Sequence, residues 1–75
     1  MINELDSVVL TADLPAHGLA SGDIGTVVMV HGGGIGYEVE FVALDGETVA
    51  VVSLVASQVR QIRQHEIAHA RVLAA

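Results

Sequence analysis

The stretch Tyr37-Glu38-Val39-Glu40-Phe41-Val42 alternates without a break, with Tyr37, Val39 and Phe41 on one side and Glu38 and Glu40 on the other. A period of two belongs to an extended strand with one face buried. Asp45-Gly46 then supplies the positive backbone angles of a tight hairpin, and Glu47 to Leu54 reads as the returning strand. Upstream, Gly25 opens the continuous apolar run Thr26-Val27-Val28-Met29-Val30-His31, and Gly32-Gly33-Gly34-Ile35-Gly36 interrupts it. Two consecutive hairpins make an antiparallel meander. This region leaves little room for any other fold class.

The flanks extend the pattern. Ser7-Val8-Val9-Leu10-Thr11 is rich in β-formers and ends at Asp13-Leu14-Pro15, since proline cannot donate to a central ladder. Ala16 to Asp23 is a loop, with Ser21-Gly22-Asp23 its turn. After Leu54 two readings compete. In the first, Ser57-Gln58 forms a single helical turn, Val59-Arg60-Gln61-Ile62 a short closing strand, and residues 64–75, rich in alanine and other helix formers, a C-terminal helix. In the second, one helix capped at Ser57 runs to the end. The first is preferred. The expected fold is therefore mostly β: a small five-stranded SH3-like antiparallel barrel over 1–63 with a short C-terminal α-helix over 64–75, since curling removes open edges.

Size limits what such a domain can hide. A chain of 75 residues and 7.8 kDa exposes about 4,400 Å² when folded against about 11,300 Å² unfolded, so roughly 60% of its surface is buried. Against that limit 52% apolar residues and a mean hydropathy of +0.60 are high. Apolar surface is left over, and that points to self-association or a partner. Without cysteine, disulfide scaffolds, thiolate metal sites and cysteine nucleophiles are all excluded. There is no basic-apolar-small leader and no apolar run near 18 residues, so the expectation is a cytoplasmic, bacterial-type protein with no membrane contact.

Charge is divided by position. Residues 1–59 hold eight acids and no base, whereas Arg60, Arg63 and Arg71 share the last segment with Glu66 alone. An acidic body without lysine repels phosphate backbones, and Tyr37 and Phe41 are the only aromatic residues available for stacking. No nucleic-acid partner is expected.

The order of strands and turns carries a resemblance. Leu5-Asp6-Ser7-Val8-Val9-Leu10-Thr11, Asp13-Leu14-Pro15, Gly18-Leu19 and Gly22-Asp23-Ile24-Gly25-Thr26-Val27-Val28 resemble the small bacterial proteins classed as domain of unknown function 4926. Tyr37 to Val42 and Leu44-Asp45-Gly46-Glu47-Thr48 fit the same pattern, so the resemblance covers about residues 2–62. It implies an SH3-like barrel and no established activity, with a role as an accessory or partner protein of other small bacterial proteins, toxin-type ones among them. The glycine insert at 32–36 and the tail after Arg63 depart from the pattern.

Several motifs suggest chemistry. His65-Glu66-Ile67-Ala68-His69 spells H-E-x-x-H; on a helix His65 and His69 would share a face and reach one zinc, with Glu66 as base. A third protein ligand is wanting, Val72 stands where the extended motif has glycine, and His17 and His31 lie in or beside loops. His65 and His69 are thus retained only as weak metal candidates. The glycine insert precedes a strand and not a helix, and no lysine accompanies it, so it reads as a hairpin loop and not a phosphate cradle. Asp13, Asp23, Asp45 and Glu47 lack the spacing of a calcium loop. No serine sits in a nucleophile elbow. Neither catalytic residues nor a cofactor are expected.

The functional expectation is a non-catalytic interaction module that forms a homo-oligomer, dimer or tetramer. On a helical wheel Ile67, Ala70 and Ala74 form a narrow stripe with Leu73 at its edge, the expected interface. The positive tail is also suited to docking on acidic surface, its own or a neighbour's. The alternative is an antitoxin-like acidic partner that neutralises a basic protein; a metal-binding protein acting through His65 and His69 is the remotest reading.

Overall fold

In the computed structural model, which describes residues 1–73, five strands form one antiparallel sheet: β1 (Ser7–Leu10), β2 (Ile24–His31), β3 (Gly36–Val42), β4 (Thr48–Val55) and β5 (Val59–Gln61), in the order β4-β3-β2-β1-β5. The fold is mostly β, as the alternation requires. Pro15–His17 and Ala56–Gln58 are single 3₁₀ turns, the second followed at once by β5, which settles the choice between strand and helix at 57–61 in favour of the strand.

Both hairpins close where glycine punctuates the sequence. Gly32, Gly33 and Gly34 adopt positive φ, and the amides of Gly34 and Ile35 donate to the His31 carbonyl at 3.0 and 3.1 Å. At the second turn Gly46 has φ 93°, and Ala43 N–H donates to the Glu47 carbonyl at 2.8 Å. The alternating inward residues pair with the returning strand: Tyr37 with Leu54, Val39 with Val52, Phe41 with Ala50.

One core takes side chains from all five strands. Val8 and Leu10 of β1, Val27 of β2, Tyr37, Val39 and Phe41 of β3, Val52 and Leu54 of β4 and Val59 of β5 join Leu19 from the first loop. A flat sheet could not bring its two edge strands into one cluster, so the sheet curls around this core. Close packing against β3 explains Gly25: a Cβ there would lie 2.5 Å from Val39 Cγ1 and 3.0 Å from the Glu40 carbonyl oxygen. Yet β4 and β5 remain the edges and share no ladder, so the sheet is not closed as the expected barrel would be.

The C-terminal helix is the expectation the structure corrects. Residues 62–73 contain no helix; a turn at Gln64-His65 is followed by irregular chain, and Ala74 lies outside the described residues. A dozen residues with helix-forming composition make a marginal helix in water, because nucleation is costly and few hydrogen bonds follow. Here the segment takes its contacts from the body of the sheet. The total accessible surface, 5119 Å², exceeds the roughly 4,400 Å² of a compact chain of this mass, as an irregular surface segment would make it. Among the described residues no helix is long and apolar enough to cross a membrane.

Candidate functional site

β1 reads Val8-Val9-Leu10, with no polar alternation, and the structure shows why. Val8 and Leu10 enter the main core. Val9 faces the opposite side, outside that core, and is still only 5% exposed. On that outer face the register sets Val9 between Ile24 of β2 and Arg60 of β5. These three residues, with Ile62, border a depression whose far wall is Glu66, Ile67, Ala68 and His69. The C-terminal segment therefore lies across the outer face of β5, β1 and β2.

Two bidentate ion pairs hold it. At one end the Arg60 guanidinium donates to both Glu66 oxygens, at 2.9 and 2.7 Å, while the Arg63 amide donates to Oε1 at 2.5 Å. The guanidinium first and that amide second pull the Glu66 carboxyl down to about 2. At the other end Arg71 donates to both oxygens of Asp23, through Nε at 2.9 Å and through Nη2, and Nη2 also donates to the Gly18 carbonyl at 3.1 Å. Arg71 holds Asp23 below its ordinary range, helped by the Ala20 amide at 2.8 Å and opposed by partial burial. Paired geometry of this kind favours specificity, but exposed pairs add little stability.

Between and beyond the clamps the contact is thin. Ala68, Ala70 and Leu73 border a second, open depression of about 460 Å³, with Ile24, Phe41 and Leu44 opposite. Leu73 is half-buried and Ala70 exposed, whereas Ile67 and Val72 are 93% and 95% exposed. The anticipated helical stripe of Ile67, Ala70 and Ala74, with Leu73 at its edge, is not kept among the described residues: Ala70 and Leu73 border the chain's own groove, and Ile67 points to solvent.

The H-E-x-x-H string loses its premise in the same geometry. His65 occupies the turn with φ 60°, and the residues through His69 are not helical, so the two imidazoles are not stacked one helical turn apart. Glu66 is bound to Arg60 and held at about 2, far from the value near neutrality that suits a general base. Among the described residues no three histidine or carboxylate side chains converge as a metal-binding group.

A different polar cluster lies on the outer face of the other half of the sheet. Ser53 Oγ of β4 donates to both Glu38 oxygens of β3, at 2.8 and 2.6 Å, and His31 Nε2 at the end of β2 lies 2.8 Å from Glu38 Oε2. The serine first and the histidine second hold Glu38 below its ordinary range. The carboxylate stands between hydroxyl and imidazole, so the imidazole is not placed to take the serine proton as it does in a nucleophile–histidine–acid triad. The cluster ties three strands together. Sequence reading passed over it because His31, Glu38 and Ser53 are brought side by side only by the register of two hairpins.

Asp23 and Val9 were missed too. Val9 left a signal, the unbroken apolar run of β1, which marks a strand covered on both faces. Asp23 left none, since its partner is 48 residues away.

In comparison with known proteins, the model of a family described as Domain of unknown function (DUF4926) matches residues 4–61. No curated protein and no solved structure matches the chain. The matched segment includes every strand, Val9, Asp23 and Arg60, and ends before the segment that lies over them.

Proposed function

From the premise that the chain belongs to the DUF4926 family, we propose that it is a non-catalytic interaction module that self-associates, two copies meeting along β4. One observation carries this reading. β4 is an edge strand eight residues long, Thr48 to Val55, and contains no charged residue. Val51 and Val55 on its outer face are 54% and 56% exposed. A strand edge presents a row of backbone donors and acceptors, and natural edges of this length are usually blunted by charge or proline. Addition of another strand satisfies those groups. A second copy of β4 is a suitable partner, because antiparallel pairing about a two-fold axis uses the same patch twice and opposes no like charges. It also covers part of the apolar surface that so small a body cannot bury.

Light scattering on the full chain tests this. The expected mass is twice the 7.8 kDa of one copy. Val51→Lys and Val55→Lys, separately and together, should give monomers with unchanged circular dichroism. A monomeric parent at tens of micromolar, or dimers indifferent to both substitutions, overturns the reading.

A further inference from the structure

The segment 62–73 fits its groove incompletely. Two of its large apolar side chains, Ile67 and Val72, point to solvent, while Ala68 and Ala70 border depressions that their small side chains leave open. Ile24 and Ile62 remain about half exposed beside them. The clamps at Arg60 and Asp23 are nevertheless bidentate, and both belong to the part of the chain that matches the family, whereas the segment they grip does not. We propose that the outer face of β5, β1 and β2 is a recognition groove for an extended segment of another protein, and that residues 62–73 occupy it as a built-in competitor.

The geometry specifies the partner's chemistry. A carboxylate pairs with Arg60, a guanidinium five residues later pairs with Asp23, and alternate positions between them carry large apolar side chains where this chain has Ala68 and Ala70. Ala68 borders both depressions and Ala70 the larger one, so larger side chains at these two positions are the ones that add apolar contact there. A second copy's tail is the poorer occupant. It fits no better than the tethered one, which has the advantage of high effective concentration. An untethered segment displaces the tail only by filling what the alanines leave empty. This surface is separate from β4, so the result here is independent of the oligomeric state.

The test uses the full-length chain and two fluorescein-labelled peptides: residues 62–73 as they stand, and the same peptide with Ala68→Leu and Ala70→Leu. By fluorescence anisotropy the leucine peptide should bind at least tenfold more tightly than the native-sequence peptide. In a protein whose tail is already released by Glu66→Ala with Arg71→Ala, adding Asp23→Ala or Arg60→Ala, each checked for folding by circular dichroism, should weaken it several-fold. Arg71→Ala, which loosens the resident tail and frees Asp23, should tighten it several-fold. In the protein itself, Ala68→Leu with Ala70→Leu should raise the 15N heteronuclear NOE across residues 66–72. Equal binding of the two peptides would mean simple exchange of tails between copies and overturns the proposal, as does a leucine peptide indifferent to both Asp23→Ala and Arg60→Ala.

Discussion

The two edges of the sheet are built in opposite ways. β5 is three residues long, carries Arg60 and has a further segment of chain clamped to that arginine. β4 is eight residues long, uncharged, and among the described residues has no strand on its far side. Short length and charge are the usual protections of an edge, and one edge has both while the other has neither. The difference teaches where to look for partners. A β4 edge left open in a chain with a surplus of apolar residues is an invitation to strand pairing, whereas the β5 side is already engaged in side-chain recognition.

The largest expected effect tests how the bare edge is anchored. β4 contacts the sheet only through β3, and Phe41, 2% exposed and opposite Ala50, sits in the packed side of that junction. Phe41→Ala should cost about 3–5 kcal/mol in urea unfolding. A loss below about 1 kcal/mol would show that the outer Ser53–Glu38–His31 cluster, and not the core, holds β4. Next comes the tight contact between β2 and β3 at Gly25. Gly25→Ala places a methyl against Val39, Phe41 and the Glu40 carbonyl, and overpacking of this kind should cost about 1–3 kcal/mol. A domain of this size should then melt roughly 4–8 °C lower per kcal/mol; an unchanged midpoint would mean that Val39 and Phe41 make room for the methyl without cost.

Val51→Lys sharpens the comparison from the other direction. It should abolish dimerisation while shifting stability by less than about 0.5 kcal/mol, as surface changes usually do, whereas the same lysine scan across the exposed face of β5 should leave the mass unchanged. The smallest effect concerns the clamped side and is read by pH. Glu66 and Asp23 both titrate below their ordinary values in the folded chain. Their contribution is therefore complete above about pH 4.5 and is lost as pH falls, for Glu66 through about 2. The 15N heteronuclear NOE at residues 66–72 should fall between pH 4.5 and 2 as the clamps release, with β4 unaffected. Tail NOE values that already match a free chain end at pH 6 would break the comparison.

How much of this was legible in advance depends on the distance over which each feature is decided. The meander could be read because alternation and turn glycines are local: Tyr37, Val39 and Phe41 face inward by period alone, and Gly46 is needed where φ reaches 93°. The 3₁₀ turn before β5 was also readable at Ser57-Gln58. The groove was not. Its floor, Val9 between Ile24 and Arg60, is assembled by two ladders, and its clamp, Asp23 with Arg71, spans 48 residues. The H-E-x-x-H string misled because its meaning depends on a helix, and the helix depended on contacts that no local pattern encodes.

The sequence by itself determined an antiparallel, mostly β domain, its turns, its inward-facing residues and its division into an acidic body and a basic tail. Backbone sterics and hydrophobic periodicity act over a few residues, and they suffice for that much. Tertiary structure decided whether the sheet closes, which edge is left bare and what the tail becomes. A short alanine-rich segment has nearly balanced helical and irregular states, so modest interactions from elsewhere tip it. Arg60 and Asp23 supply those interactions, and they draw the tail across Val9 as an irregular strap instead of a helix.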